Sequence, residues 1–304
     1  MRALVVTNMW PSPERPPLGV FVRDQVEALR RLEGVDVDVF SFPPGGYAKA
    51  ARDIRARHRD SGHDVVHAHF GLTAWVALAL GGPAPRAVTL HGNDVRHPRS
   101  RRITQAALGR MDLVAAASEE LAAAVPGRHD VRVLPCGVDT HRFRPIARTR
   151  ARAQLGLPPD EPCLLFPHDP ARPVKRHDRA MDVADGARLL SLGQVDPAQV
   201  PLWVNAVNAV VAPTEFEGFG LAVLEALACD VPVLTTPVGN HAAALRDVAG
   251  TLCAPYELEA WRALAAAHLA APDPRVAGRA RAEHWSADRM AVDVAAAWRE
   301  LLER

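Results

Sequence analysis

The stretch NAVVAPTEFEGFGLAVLEALACDVPVLTT (208–236) reads as one complete strand–loop–helix–strand unit, and that reading decides the fold. NAVVAP is a short β-branched run closed by a proline. TEFE is a polar loop, Gly218-Phe219-Gly220 opens an apolar helix, and VPVLTT is a second strand. Strands alternating with helices in this way give a parallel sheet covered on both faces. Unpaired N–H groups at a helix start, with glycines that let another molecule approach, form a phosphate site. Glu217, on the rim, repels phosphate but accepts hydrogen bonds from hydroxyls. Glu225 lies among Leu221, Val223, Leu224 and Leu227, where an unpaired carboxylate is rare, and it can reach a diol. Phosphate donors flanked by two hydroxyl acceptors describe a sugar–diphosphate–ribose ligand.

The same alternation extends in both directions. Towards the amino terminus, ALVVT (3–7), VDVDVF (35–40), VVHAH (65–69), AVTLH (87–91), LVAAAS (113–118) and VRVLP (131–135) read as strands. The pattern then restarts with PCLLFP (162–167), ARLLSLG (187–193), the unit above and GTLCAP (250–255). Asp196-Pro197 reads as an N-cap followed by proline at the first helical position. Residues 146–162 read as a linker, and the last residues, ADRMAVDVAAAWRELLER, as a long terminal helix. The expected organisation is α/β: two Rossmann-like domains, 1–150 and 151–285, with a helix at 286–304 that can pack back toward the first. Ligands of such sheets sit at the carboxyl ends of the strands, here in a cleft between the halves.

Composition sets limits. The chain of 304 residues is 48% hydrophobic and 23% charged, ordinary for a globular protein. No apolar run approaches the ~20 residues that span a bilayer. The opening MRALVVTNMWPSPERPP lacks a signal-peptide pattern, and the cysteines (Cys136, Cys163, Cys229, Cys253) have no metal or redox spacing. A cytoplasmic enzyme with reduced thiols is expected. The net charge of +1 hides an asymmetry. Residues 1–150 hold 22 Lys and Arg against 15 Asp and Glu, and the remainder holds 14 against 20. Two domains that meet different partners would produce this.

Glutamate, seven residues and glutamate, followed by ALACDVPVLTTPVGN (226–240), resemble the donor-site signature of retaining glycosyltransferases of family 4, which have the GT-B fold. PPLGVFVRDQVEALRR, DVVHAHFG, VTLHGND and VLPCGVDTHRFRP are similar to other landmarks of that family, so the resemblance spans nearly the whole chain. It implies a metal-independent enzyme without cofactor that moves a sugar from a nucleoside-diphosphate sugar to an acceptor hydroxyl. Glu217 then contacts the donor sugar and Glu225 the ribose. Gly19, Gly218, Phe219, Gly220, Gly239 and Asn240 bring backbone to the donor. FPHDPARPVKRHDRA (166–180) resembles the family's cation pair for the diphosphate, which nominates Arg172 and Lys175, with Arg176 as the alternative to Lys175. Lys175 is one of only two lysines among 36 Lys and Arg, which fits a need for a compact point charge. His91 is expected beside the donor sugar, and His69, Asn93 and Asp94 on the acceptor side.

Other features carry less. Asp36-Val37-Asp38 imitates a metal-binding pair but lies in an alternating strand, where two solvent-facing carboxylates are expected. His67 and His69 share a strand face without a third ligand at suitable spacing. The basic stretch 46–57, with Arg96, Arg99, Arg101 and Arg102, is a solvated surface or a contact with an anionic membrane or a phosphorylated acceptor. No nucleic-acid module is present. Two departures from the family stand out. Only eleven residues separate Lys175 from ARLLSLG, so a strand–helix unit is missing and the second domain is short. PVGNHAAALRDVAG (237–250) lacks the acidic residue that members of the family often place after the glycines. The alternatives to a transferase are a GT-B epimerase or phosphorylase, and a catalytically weak sugar-nucleotide-binding subunit.

Overall fold

The computed structural model describes residues 1–193 and 195–304. The chain divides into two compact units, Met1–Gly137 with Ala287–Arg304, and Val138–Ser286.

The first unit is built on six parallel strands: β1 (Arg2–Thr7), β2 (Asp36–Ser41), β3 (Val65–His69), β4 (Arg86–Leu90), β5 (Leu113–Ala116) and β6 (Arg132–Val133). Their order is β2-β1-β3-β4-β5-β6. β3, β4 and β5 are buried along their whole length, as inner strands of a parallel sheet are, and they bury His67, His69, Arg86 and Thr89 with the apolar side chains. The helix Val20–Arg30 presents Val22, Val26 and Leu29 to the sheet, one face at helical spacing. The terminal helix Ala287–Leu302 packs beside it through Met290, Val294, Trp298 and Leu301. Trp298 is fully buried, and each large apolar side chain so placed contributes about 1.5–3 kcal/mol.

The second unit has five parallel strands: β7 (Cys163–Phe166), β8 (Arg188–Ser191), β9 (Ala209–Ala212), β10 (Val233–Thr235) and β11 (Leu252–Cys253). Their order is β11-β10-β9-β7-β8. The chain starts in the middle of each sheet and works outward first to one side, then to the other. The reversal falls between β1 and β3 in one unit and between β7 and β9 in the other, the position where such sheets open a crevice at their carboxyl ends.

Several expectations shift. Residues 138–150 belong to the second unit: Arg279 donates to the carbonyls of Thr140 (2.9 Å) and Phe143 (3.1 Å), and Ile146 N–H donates to Asn205 (2.8 Å). Nor are residues 146–162 a linker. They contain the helix Arg148–Leu155, whose Arg152 is buried and donates to the carbonyls of Ala206 (2.7 Å) and Pro159 (2.9 Å). A buried guanidinium satisfied by carbonyls fixes this helix to the sheet. The strand expected at 131–135 shrinks to two residues. Asp196 accepts from Ala198 N–H at 2.9 Å and so closes a turn, and the helix begins only at Val200, with Pro201 in its first turn. Gln194, which opens the shortened segment after ARLLSLG, lies outside the described residues. Among the described residues no helix is long and apolar enough to cross a membrane.

Candidate functional site

In the second unit, the loops that follow β7 and β9 bring together residues far apart in sequence. After β7 the chain runs through His168 and a tight turn, with Arg172 N–H donating to Asp169 O (3.1 Å) and Lys175 N–H to Arg172 O (2.9 Å). That turn leads into the 3-10 helix Pro173–Lys175 and buries Lys175. After β9 the loop delivers Glu217. Lys175 Nζ forms an ion pair with Glu217 Oε1 and also donates to Phe216 O at 3.4 Å. His168 Nε2 lies 3.4 Å from the same carboxylate oxygen. Burial alone would raise the pKa of Glu217, but His168 and Lys175 hold it below the ordinary value. Burial pushes His168 itself down to about 3, so at neutral pH the counter-charge comes from Lys175. Lys175 is in turn lowered by burial, against the opposing pull of Glu217.

The glycines have steric reasons. Gly220 caps the helix Leu221–Ala228 at φ +105°, and a Cβ there would sit 2.3 Å from His241 Nε2. His241 Nδ1 lies 2.9 Å from Thr235 Oγ1 and 3.0 Å from Thr236 O. Thr235 gives its own hydrogen to Ala212 O, so His241 carries its proton on Nδ1 and turns a lone pair toward Gly220. Gly239, at φ +57°, would place a Cβ 2.7 Å from Phe219 O and 3.1 Å from Glu217 Cβ. Asn240 N–H donates to Phe219 O at 2.8 Å, while its Nδ2 is buried without a partner among the described residues. Lys175, Glu217, Phe219, Gly220, Gly239 and Asn240 therefore form one cluster. The Phe219 side chain is core, and this residue offers only backbone to the loop. Gly218 is half-buried beside it. Glu225, the fifth residue of the helix, is also half-buried. Arg172 is exposed and makes no ion pair with the described residues. Arg176 is committed elsewhere, to Glu215 and to Asp178 (2.9 Å). His168 and His241 went unnamed in the sequence reading. Both follow strand ends, so the positional rule for such sheets could have found them.

The first unit holds a second constellation. His67, His69 and His91 lie side by side, with ring centroids 5.0 and 5.2 Å apart and near-parallel planes. Trp298 Nε1 donates to His67 Nδ1 at 3.0 Å, so His67 carries its proton on Nε2, toward Thr89 Oγ1 at 2.8 Å. His69 Nδ1 and His91 Nε2 share a hydrogen bond of 3.0 Å. Burial lowers all three imidazoles, His67 to about 4 and His91 to about 3. Phe21 and Phe70 close around His91, at 4.9 and 4.8 Å between centroids. Asp94 turns inward and accepts from the backbone N–H groups of His91 (3.0 Å), Gly92 (2.8 Å) and Gly71 (3.2 Å). Burial raises its pKa despite these bonds. Its carboxylate thus staples two loops, whereas an acceptor-side residue would turn its oxygens outward. Asn93 is exposed. Gly19, at φ +71°, caps the helix Val20–Arg30, and its lack of a Cβ makes room for Met9 O, 2.2 Å from where one would stand. Asp38 is not simply solvated: it pairs with Arg2 (2.7 Å) and His63 (2.8 Å).

Comparison with known proteins bears on both units. Residues 43–142 match the profile of Glycosyltransferase Family 4, and residues 168–270 that of Glycosyl transferases group 1. The chain is 31% identical to the D-inositol 3-phosphate glycosyltransferase of Mycobacterium avium over 329 aligned positions, covering 90% of this chain and 76% of that protein. It is also 31% identical to the enzyme of the same name from Segniliparus rotundus, where the match covers 73% of this chain but only 62% of the relative's length. Among solved structures, sucrose-phosphate synthase from Thermosynechococcus elongatus superposes with a TM-score of 0.78 at 20% identity, covering 100% of both chains. HepE of Anabaena in complex with UDP-glucose superposes with a TM-score of 0.73 at 16% identity, covering 98% of this chain and 99% of that one. The chain belongs to glycosyltransferase family 4, among the group 1 glycosyl transferases, and its two parallel-sheet units have the α/β layout of GT-B enzymes.

Proposed function

We propose that the chain transfers a glycosyl group from a nucleoside-diphosphate sugar to an acceptor hydroxyl, with retention at the anomeric carbon and without a metal. The observation that carries this reading is the Lys175–Glu217 pair in the crevice where β7 and β9 diverge, next to a glycine-capped helix start. A departing diphosphate gathers negative charge, and fixed cations and backbone N–H groups aimed at it stabilise the transition state. Arg172, Lys175 and the helix start after Gly220 supply them. Glu217 accepts from hydroxyls of the donor sugar, and Glu225 from the ribose. The anomeric bond to phosphate breaks as the acceptor oxygen bonds on the same face, and the acceptor's proton passes to the leaving phosphate oxygen. His91 hydrogen-bonds the sugar.

UDP-glucose, the molecule bound in HepE, is the first donor to try, and the relatives' name makes D-inositol 3-phosphate the first acceptor. Four unpaired cysteines suit a reducing compartment such as the cytoplasm. A peripheral contact with an anionic membrane would use the helix Pro98–Leu108, where exposed Ile103 stands among Arg99, Arg101 and Arg102. Equal sedimentation with anionic and neutral vesicles would remove that contact.

The test of the donor site is calorimetric titration with uridine, guanosine, adenosine and thymidine diphosphates in EDTA, on wild type and Glu225→Ala. Binding of one nucleotide, weakened in the variant, supports the reading and names the base. Absence of binding by all four overturns it. Turnover of the matching nucleotide sugar with acceptor then separates a transferase from an epimerase, which releases a free sugar, and from a binding subunit, which turns over nothing.

A further inference from the structure

We propose that His69 is a positioning residue that fixes His91 with its proton on Nδ1, so that His91 presents an N–H donor rather than a lone pair at its accessible edge. The proposal rests on the reading of His91 as a residue of the reaction centre.

Among the described residues the His91 ring makes one polar contact, from its Nε2, 3.0 Å from His69 Nδ1. One of these two nitrogens donates and the other accepts. His69 is fully buried, and its second nitrogen, Nε2, has no partner among the described residues. If His91 donated, neutral His69 would carry its proton on Nε2 and bury an orphaned N–H. If His69 donates from Nδ1, the orphan is only a bare lone pair. Buried N–H groups without a partner are the rarer of the two. His69 is therefore the donor and His91 Nε2 the acceptor, which leaves the His91 proton on Nδ1.

The surroundings close the other routes. His67 cannot supply or take this proton, because Trp298 and Thr89 engage its two nitrogens. His69 lies between His67 and His91 with its ring plane near-parallel to both, and Thr73 Oγ1 donates to its carbonyl. The His91 backbone is pinned through its N–H to Asp94. Burial keeps both imidazoles neutral at pH 7, so each carries one proton. His91 Nδ1 has no hydrogen-bond partner among the described residues, and His91 is only partly buried. An N–H at that edge donates to a hydroxyl or phosphate oxygen and cannot serve as a base.

The tautomer is directly measurable. Long-range proton–nitrogen correlation on the full-length, nitrogen-15-labelled protein separates protonated from bare imidazole nitrogens, and His91→Gln assigns the signal. In wild type, His91 is expected with Nδ1 protonated and Nε2 bare. His69→Asn, whose amide N–H replaces the Nδ1 donor, should keep that state, whereas His69→Leu should shift the proton toward Nε2. A wild-type His91 protonated on Nε2, or a tautomer unchanged in His69→Leu, overturns the proposal. Kinetics then address the reading beneath it. Loss of the donor should lower kcat about 100-fold in His69→Leu with little change in the donor KM, and His69→Asn should recover most of it. If the tautomer moves as expected while turnover stays at the wild-type rate in both variants, the role of His91 in the reaction falls and the tautomer assignment stands.

Discussion

Lys175 and Glu217, 42 residues apart in sequence, form an ion pair almost out of water, with only 3% and 15% of their side chains exposed. Removing one partner strands a buried charge, which typically costs about 3–5 kcal/mol. Lys175→Met and Glu217→Gln should each lower the denaturation midpoint strongly. The double variant should recover a good part of that loss, because two neutral groups need no compensation. Donor binding should not recover with it. Urea titration of the four proteins forms the cycle, and purely additive losses would remove the coupling claimed for the pair.

The buried histidines predict acid sensitivity. An unfolded histidine titrates near 6.5, and burial lowers His67 to about 4. Above pH 6.5 the residue is neutral in both states and contributes nothing to the pH dependence. Below it, the unfolded chain takes up a proton that the folded one refuses until about pH 4, so stability falls with pH across that window. The slope is about 1.4 kcal/mol per pH unit, and the whole loss about 3 kcal/mol for this residue. His67→Gln should fold less stably at pH 7 yet show a shallower decline between pH 6.5 and 4.5. A decline as steep as wild type would mean that His67 is not the titrating group.

How far the sequence could be read follows from the range of the interactions. β7 and β9 were legible because burial on both faces leaves an uninterrupted apolar run, visible without any partner. The helix start after Gly220 was legible for a similar reason, since a glycine between a polar loop and an apolar helix is a local signal. The role of Arg152 was not. It lies in the segment 146–162 read as a linker, and only the carbonyls of Ala206 and Pro159, brought back by the fold, make it a core residue. The stapling role of Asp94, expected on the acceptor side, was not legible either, because nothing near it in sequence announces three inward backbone donors. His241 owes its position to Thr235 and Gly220, contacts made across a turn that periodicity does not encode.

Asp94 offers a cleaner test of local order. Asp94→Asn keeps the shape but exchanges one acceptor for an amide that faces backbone N–H groups. Leaving one or two buried donors unsatisfied should cost about 1–3 kcal/mol. Because Asp94 anchors the His91 backbone, turnover of the donor should fall as well, while nucleotide binding measured by calorimetry should change little. Thermal unfolding and a nucleotide titration on the variant suffice, and unaltered stability would show that the carboxylate does not hold these loops.

Gly220 and Gly156 separate strain from collision. Both have positive φ, +105° and +66°, but a Cβ at Gly156 meets nothing within 4 Å, whereas one at Gly220 runs into His241. Gly156→Ala should therefore lose only the cost of a left-handed alanine, about 1–2 kcal/mol. Gly220→Ala should lose that plus an overpacking cost of about 1–3 kcal/mol, and nucleotide affinity with it, since the helix start moves off its seat. Adding His241→Ala to Gly220→Ala removes the obstructing ring and should return part of the stability. It should not restore full affinity, because His241 also holds the loop through the Thr236 carbonyl. Denaturation midpoints for the two single variants and the double variant, with a nucleotide titration on each, decide the matter. Equal losses at the two glycines, or a double variant no better than Gly220→Ala, would mean that His241 does not set the position of the helix start.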